Sequence, residues 1–152
     1  MKLAEALVLR ADVQKRITQL RARLQQSALI QEGEQPPEDP QALLTELDQL
    51  LNQLVELVLQ INRTNIQTAL NESTNLTAAL ALRDMLTLRY SIIDTVATTA
   101  SNRIDRYGRS EIRKISTVDV PALRRQLDDI ARERRELDTA IQSVNWTTDL
   151  VE

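Results

Sequence analysis

The sequence predicts an all-α fold, an antiparallel bundle of four long helices with an irregular connection between helices 3 and 4. Aliphatic residues dominate the apolar 42% of the chain, which has no phenylalanine. Its two glycines and four prolines supply too few turns for a many-stranded β fold. Four segments repeat aliphatic residues at the period of an amphipathic helix. At 152 residues the chain has the usual size of one domain, so we expect residues 1–152 to form a single one.

The first helix is predicted for residues 3–29. Its aliphatic side chains recur at steps of three and four, as in a coiled coil, and Arg10 takes the one interior position that breaks the series. The series is Leu3, Ala6, Val13, Ile17, Leu20 and Leu24. A loop should follow, because Gly33 suits a left-handed backbone and the prolines after it cannot continue a helix.

The second helix is predicted for residues 40–70. Asp39 favours its start because the carboxylate can accept hydrogen bonds from the free backbone N–H groups, and Pro40 suits the first helical position. The interior series is Leu43, Leu47, Leu50, Leu54, Leu57 and Ile61. Its spacing again indicates a helix with one buried face.

Residues 54–61 carry aliphatic side chains on nearly every side of this second helix. One four-helix core does not need to bury so much apolar surface. Two interpretations follow. Either the chain self-associates, with Leu7, Val55 and Leu59 as the candidate surface, or neighbouring helices of the same chain cover the stretch.

The third helix is predicted for residues 77–104, with Thr74 or Thr77 as its cap. Its interior series is Leu76, Leu80, Arg83, Leu86, Tyr90, Ile93, Ala97, Ala100 and Ile104. Residues 106–118 fit neither a regular helix nor a strand, so we expect an irregular connection. The fourth helix, residues 120–146, starts after Asp119 and has the interior series Leu123, Leu127, Ile130, Arg134, Leu137, Ile141 and Val144.

The composition removes most catalytic chemistries. The chain contains no cysteine and no histidine. Thiolate nucleophiles, Ser-His-Asp systems and imidazole acid/base catalysis are therefore excluded, as are cysteine and histidine metal sites. We accordingly expect a protein that is not an enzyme, with no cofactor and no metal.

Charge and hydropathy restrict the partners and the location. A net charge of -3 disfavours binding to the phosphate backbone, so no nucleic-acid partner is expected. No stretch approaches the roughly 20 apolar residues that span a bilayer, which predicts no stable membrane insertion. Lys2 and Glu5 interrupt the first residues, unlike the core of a signal peptide, so we expect a cytoplasmic protein.

Several short sequence motifs, spread over essentially the whole chain, resemble those of a bacterial family of small helical proteins known as septicolysin or septicolysin-like. These motifs are Met1-Lys2-Leu3-Ala4-Glu5-Ala6-Leu7, Gln31-Glu32-Gly33-Glu34, Ile61-Asn62-Arg63-Thr64-Asn65, Leu76-Thr77-Ala78-Ala79-Leu80, Arg83-Asp84, Arg109-Ser110-Glu111-Ile112-Arg113, Thr117-Val118-Asp119-Val120, Arg135-Glu136-Leu137-Asp138 and Asn145-Trp146. The family name implies a cytolysin. The resemblance assigns no role to any residue of this chain.

Helices that alternate in direction would bring six polar residues to one level of the bundle. These are Arg10, Asn62, Asn65, Arg83, Asp84 and Asp138. One interpretation is that arginines and carboxylates neutralise each other and fix the helix register. The other is a pocket for a small anionic ligand, since a guanidinium suits a bidentate carboxylate or phosphate.

Taken together, these patterns favour a non-enzymatic helical bundle that acts through protein–protein contacts, most simply as a homo-oligomer. Two alternatives stay open. The first is a septicolysin-like cytolytic or membrane-active protein. The second is a binder of a small anionic ligand at the arginines, whose identity the sequence leaves unknown.

Overall fold

The computed structural model describes residues 1–102 and 114–152, and it is all-α in these ranges. Four helices follow one another: α1 (Leu3–Ser27), α2 (Pro40–Gln67), α3 (Leu76–Ser101) and α4 (Val120–Thr147). The predicted fold class is confirmed. The predicted helix starts differ from these bounds by at most one residue and the predicted ends by one to three, and Ile104, at the predicted end of the third helix, lies outside the described residues. Residues 114–119 are not helical, as expected for the connection between α3 and α4. The rest of that predicted connection, 106–113, lies outside the described residues.

Polar side chains set the beginnings of three helices. Asp39 accepts a hydrogen bond from the Gln41 amide (3.0 Å) at the start of α2, as predicted. Asp119 accepts one from the Ala122 amide (3.0 Å) at the start of α4. The predicted cap of α3, Thr74 or Thr77, was wrong. Asn75 has the extended backbone of a capping residue, and its side chain accepts from the Ala78 amide (2.9 Å).

The chain forms two compact units, and each is described by itself. The first unit comprises Met1–Ala69 and Gln142–Glu152, and the second comprises Leu70–Ile141. The first unit therefore contains α1, α2 and the end of α4, whereas the second contains α3 and most of α4. The expectation of a single domain stays a prediction.

In the first unit, α1 and α2 run antiparallel. Near the end of α1, Arg23 forms an ion pair with Glu46 in the second turn of α2. At the other extremity, Leu3 of α1 and Thr64 of α2 both hydrogen-bond to the segment 148–151. The start of one helix thus lies beside the end of the other, as in a helical hairpin.

In the second unit, α3 and α4 also run antiparallel. Arg83, near the start of α3, pairs with Asp138 near the end of α4. Ala100, at the end of α3, shares a surface groove with Val120 at the start of α4. Because residue numbers fall along one helix as they rise along the other, the two helices lie side by side in opposite directions.

Most of the buried aliphatic side chains are ones that the periodicity placed inside. Each of the four helices contributes such side chains, with exposures of 5% or less. Burial of each large aliphatic side chain stabilises the fold by roughly 1.5–3 kcal/mol. The predicted interior residues found buried are Leu3, Ala6, Val13, Leu20, Leu43, Leu50, Leu57, Ile61, Leu76, Leu86, Ala97, Leu127, Ile130 and Ile141.

Candidate functional site

Three of the six residues in the predicted polar layer belong to the first unit. Arg10 is half-buried, and its Nε atom is shielded from solvent without a hydrogen-bond partner. Asn62 is exposed and Asn65 is half-buried. A buried guanidinium nitrogen without an acceptor is energetically costly, and the Nε atom of Arg10 is such an unsatisfied donor.

The other three residues belong to the second unit, and the structure brings them together. Arg83 Nη2 lies 3.4 Å from Asp84 Oδ1, and Arg83 Nη1 lies 3.6 Å from Asp138 Oδ1. The Arg83 side chain is about one-third exposed. Two carboxylates thus share one guanidinium, an arrangement in which the charges compensate each other and tie α3 to α4. That all six residues form one layer stays a prediction.

A second arginine cluster, which the sequence analysis missed, lies at the loop between α1 and α2. Arg23 donates to Glu38 through Nε (2.8 Å) and through Nη2, a bidentate pairing. Its Nη1 is 3.6 Å from Glu46. The hydrogen bond from Arg23 lowers the pKa of the Glu38 carboxyl below its ordinary value. The sequence places an arginine in the last turns of one predicted helix and acidic residues around the start of the next, and this pattern could have indicated the pairing.

The two chain ends pair with each other through backbone hydrogen bonds. The Leu3 amide donates to the Thr148 carbonyl (2.9 Å), and the Leu150 amide donates to the Met1 carbonyl (2.9 Å). Between them, Lys2 and Asp149 form an isolated antiparallel bridge. We call residues 1–3 and 148–151 the terminal clasp.

Side chains reinforce the terminal clasp. Lys2 Nζ lies 2.8 Å from Asp149 Oδ1, and this contact lowers the pKa of the Asp149 carboxyl. The Val151 amide donates to the hydroxyl of Thr64 (3.0 Å), a side chain in α2 with no exposed surface. The clasp therefore fastens the C-terminal segment to α2. No periodic pattern predicts such a contact, because it depends on single residues far apart in the sequence.

α2 carries a second apolar face in addition to its buried one. We call Leu44, Leu51, Val55 and Leu59 the α2 apolar face. These residues are spaced by seven or four positions, so they lie along one side of the helix. Val55 and Leu59, both predicted for a self-association surface, are 58% and 50% exposed. Leu7, the third predicted residue, is half-buried.

α3 carries a comparable surface, which the sequence analysis did not single out. We call Leu82, Met85, Leu88, Ile92 and Val96 the α3 apolar face. Each of these side chains is between 41% and 62% exposed. Their steps of three and four residues match the helical period, so the signal was present in the sequence beside the buried series.

A groove of about 490 Å³ lies beside the end of α3 in the second unit. Thr95, Val96 and Thr99 form one wall, and residues 114–118 form the other. The groove combines hydroxyl groups with aliphatic surface. In residues 1–102 and 114–152, no three acidic side chains come close enough together to hold a metal ion.

Length and hydropathy decide whether a helix can cross a bilayer. None of the helices in the described part of the chain combines enough length with enough apolar character to cross a membrane.

Comparison with known proteins places the chain in a family but gives it no activity. The model of a family of unknown function, DUF6847, matches residues 10–150. A crystal structure from Corynebacterium diphtheriae, of a conserved protein described as functionally unknown, is 42% identical. The match covers 99% of both chains, with a TM-score of 0.94. No curated protein matches the chain. None of these descriptions mentions a septicolysin.

Proposed function

Because the chain belongs to DUF6847, a family of unknown function, we propose its role from its own surfaces: it is a non-enzymatic helical protein that acts through protein–protein contacts and assembles with copies of itself. The observation that carries this proposal is the α2 apolar face. A soluble helix normally turns such residues inward and keeps the opposite side polar. An exposed aliphatic stripe on a helix is typical of a protein–protein contact surface.

The composition supports a partner of this kind rather than a substrate or a nucleic acid. Without histidine or cysteine the chain lacks two of the side chains that enzymes use most often as general bases and nucleophiles. Its net charge of -3 disfavours a polyanionic partner. We therefore propose a cytoplasmic protein without a cofactor whose binding depends on apolar contact.

The mass in solution tests the proposal. We expect the wild-type protein, at high micromolar concentration, to sediment as a multiple of the 17.3 kDa chain. Val55→Glu and Leu59→Glu place a charge on the α2 apolar face and should reduce the mass toward that of one chain. Both side chains are exposed, so the variants should keep the wild-type helix content. A wild-type protein of 17.3 kDa at every concentration would sink the proposal.

Gln49→Glu is the matched control for these variants. Gln49 is exposed on α2, away from both the buried face and the α2 apolar face. The Gln49→Glu substitution adds the same charge to the same helix as Val55→Glu and Leu59→Glu do. Self-association through the α2 apolar face requires that this variant keep the wild-type mass, since a loss here would implicate net charge instead of the apolar contact.

A second candidate function is binding of a small anionic ligand at Arg10, supported by the unsatisfied Nε atom of that residue. Isothermal titration with inorganic phosphate and with acetate would detect it. Arg10→Gln should abolish the heat of binding. The septicolysin-like alternative makes a different prediction, release of a dye from lipid vesicles, and intact vesicles at high protein concentration would exclude it.

A further inference from the structure

The exposed aliphatic stripe of α2 continues past the α2 apolar face toward the end of the helix. Ile66, 61% exposed, lies seven residues after Leu59 and therefore on the same side of α2. The stripe is distinct from the surface that the fold uses. The residues that α2 buries lie roughly 140° away around the helix axis, and they are Leu43, Leu50, Leu57, Ile61 and Thr64.

The spacing of this stripe is the same in both directions from Val55. Leu51 and Leu59 lie four residues before and after it, and Leu44 and Ile66 lie eleven residues before and after it. In an antiparallel pair of α2 helices with a two-fold axis at Val55, Leu51 would lie opposite Leu59 of the second copy. By the same symmetry Leu44 would lie opposite Ile66, and Val55 would meet its own symmetry mate. A two-fold contact uses the same patch on both subunits, so a self-complementary spacing is what it requires.

Two polar residues within the stripe follow the same symmetry. Asp48 lies seven residues before Val55 and Asn62 lies seven residues after it, and both are exposed. In the antiparallel pair each Asn62 would face Asp48 of the second copy, where its amide NH₂ can donate a hydrogen bond to the carboxylate. Polar residues within an apolar helix seam specify its register. The two polar positions are therefore complementary to each other in this arrangement.

Charge complementarity favours the antiparallel direction. Arg63 is exposed and follows Asn62 by one residue. In the antiparallel pair it would lie at the level of Asp48 of the second copy and on the same edge of the contact, and the two-fold axis would form this ion pair twice. In a parallel pair Asp48 would instead lie beside Asp48, and Arg63 beside Arg63. Like charges in these positions would repel, so the charges of α2 select the antiparallel arrangement.

The exposed area is sufficient for a specific contact. Five aliphatic side chains, each roughly half exposed, present on the order of 450 Å² of apolar surface. With the polar residues beside them, two copies in contact would remove about 1,000 Å² from water, the lower limit for a specific protein–protein interface. An interface of this size predicts a dimer that dissociates on dilution.

We propose that the α2 apolar face binds the α2 apolar face of a second copy as an antiparallel helix pair, with the two-fold axis at Val55. This inference rests on the self-association proposed above, and it names the surface that covers the α2 apolar face, the register and the number of subunits. Aliphatic packing at about 8–10 Å between helix axes supplies the affinity. Asp48, Asn62 and Arg63 supply the register.

Cross-linking tests the register directly, because the natural chain has no cysteine. Single-cysteine variants would be treated with bismaleimidoethane, a short thiol cross-linker. Val55→Cys should give a covalent dimer in high yield. A mixture of Leu51→Cys and Leu59→Cys should cross-link several-fold more than either variant alone. Gln49→Cys, exposed on α2 but about 120° away from Val55 around the helix, is the matched control and should stay monomeric.

Charge reversal tests the direction of the pair. Asp48→Lys and Arg63→Glu each turn two attractive contacts per dimer into repulsive ones, which should raise the dissociation constant of the dimer roughly tenfold. A mixture of the two variants restores opposite charges at both ends of the contact, so the mixture should associate as tightly as the wild type. Sedimentation equilibrium measures the association, and circular dichroism checks that these exposed substitutions keep the helix content.

The outcomes separate this inference from the function on which it rests. A cross-linked dimer with Val55→Cys, together with recovery in the mixture of charge variants, supports the antiparallel α2 pair. If the wild type is oligomeric and Val55→Glu dissociates it, while Val55→Cys links no more than Gln49→Cys or the mixture fails to recover, this pair is wrong and the proposed function stands. Stronger linking of Leu51→Cys with itself than with Leu59→Cys overturns the antiparallel register. A monomeric wild type overturns both proposals.

Discussion

The two units fasten their helices in different ways. In the first unit, directional polar contacts lie at both extremities of the α1–α2 hairpin: Arg23 with Glu38 at one, the terminal clasp at the other. In the described residues of the second unit, Arg83 of α3 forms an ion pair with Asp138 of α4, at the longer distance of 3.6 Å. In the part of the chain that the structure describes, hydrogen bonds thus hold the first unit's helices at both extremities, whereas a longer ion pair joins the helices of the second unit.

This difference has a consequence for the surfaces. In the first unit, hydrogen bonds and ion pairs hold the ends of α1 and α2, and the α2 apolar face remains exposed. Aliphatic packing in the second unit goes with an α3 that is apolar on two sides, and one of those sides is unused by the fold. We therefore expect substitutions in the cores of both units to lower stability most. Truncation of the C-terminal segment and low pH should act mainly on the first unit.

The largest expected effects come from the cores. Ile61→Ala in the first unit and Leu86→Ala in the second remove side chains that are 1% and 4% exposed. Each should lower the free energy of unfolding by about 3 kcal/mol, because lost burial and a residual cavity add together. Urea denaturation followed by circular dichroism measures the change.

Two exposed positions on the same helices are the controls for these core variants. Leu59→Ala on α2 and Leu88→Ala on α3 remove the same kind of side chain from solvent-facing positions. In dilute protein they should change the unfolding free energy by less than about 0.5 kcal/mol. Equal losses at core and surface positions would mean that burial in the structure does not decide stability.

Removal of the C-terminal segment should produce the next largest effect. A chain that stops after Thr147 loses the three hydrogen bonds that link the segment to Met1, Leu3 and Thr64. At about 1 kcal/mol each, their loss should cost about 2–3 kcal/mol of unfolding free energy. Deletion of the exposed Glu152 alone is the control and should be neutral within about 0.5 kcal/mol. If the truncated chain is as stable as the full-length chain, the terminal clasp does not stabilise the first unit, and the contrast drawn between the two units is wrong.

Much of this architecture follows from the sequence, for an identifiable reason. The helical period determines which face of each helix is buried, and Leu20, Leu57 and Ile130 lie in the core as their spacing predicts. Asp39 and Asp119 mark the starts of α2 and α4 through local chemistry within three residues. Information of this kind is contained in short windows of the chain.

The contacts that the sequence did not predict depend on tertiary placement. The helical pattern gave Thr64 of α2 no role in tertiary contacts, yet its hydroxyl accepts a hydrogen bond from the Val151 amide, 87 positions away. The same applies to Arg23 and Glu38, whose pairing depends on how the loop between them closes. The α3 apolar face was missed for another reason, since a helix with two aliphatic sides offers two candidate faces and the period alone does not distinguish them.

A smaller effect is expected at the ion pair of the second unit. Arg83→Leu should lower the unfolding free energy by about 0.5–1 kcal/mol, because the pair is partly solvated and removal leaves Asp138 without its partner. A double-mutant cycle with Asp138→Asn isolates the coupling, which we expect to be about 0.5 kcal/mol. Arg132→Leu, which breaks an exposed pair with Asp129, is the control. A coupling of several kcal/mol would show that the second unit also depends on a directional polar contact.

The smallest effect is expected from acid, and it should arise in the first unit. The folded-state pKa values of Glu38 and Asp149 are lowered by their hydrogen bonds to Arg23 and Lys2. A lowered carboxyl pKa contributes stability above the unfolded-state value, about 4, and this contribution is lost as pH falls through the lower folded-state value. The thermal midpoint should therefore decrease below about pH 4, and less steeply in Glu38→Gln. If Glu38→Gln falls as steeply as a Glu34→Gln control, the Arg23 pair is too well solvated to matter.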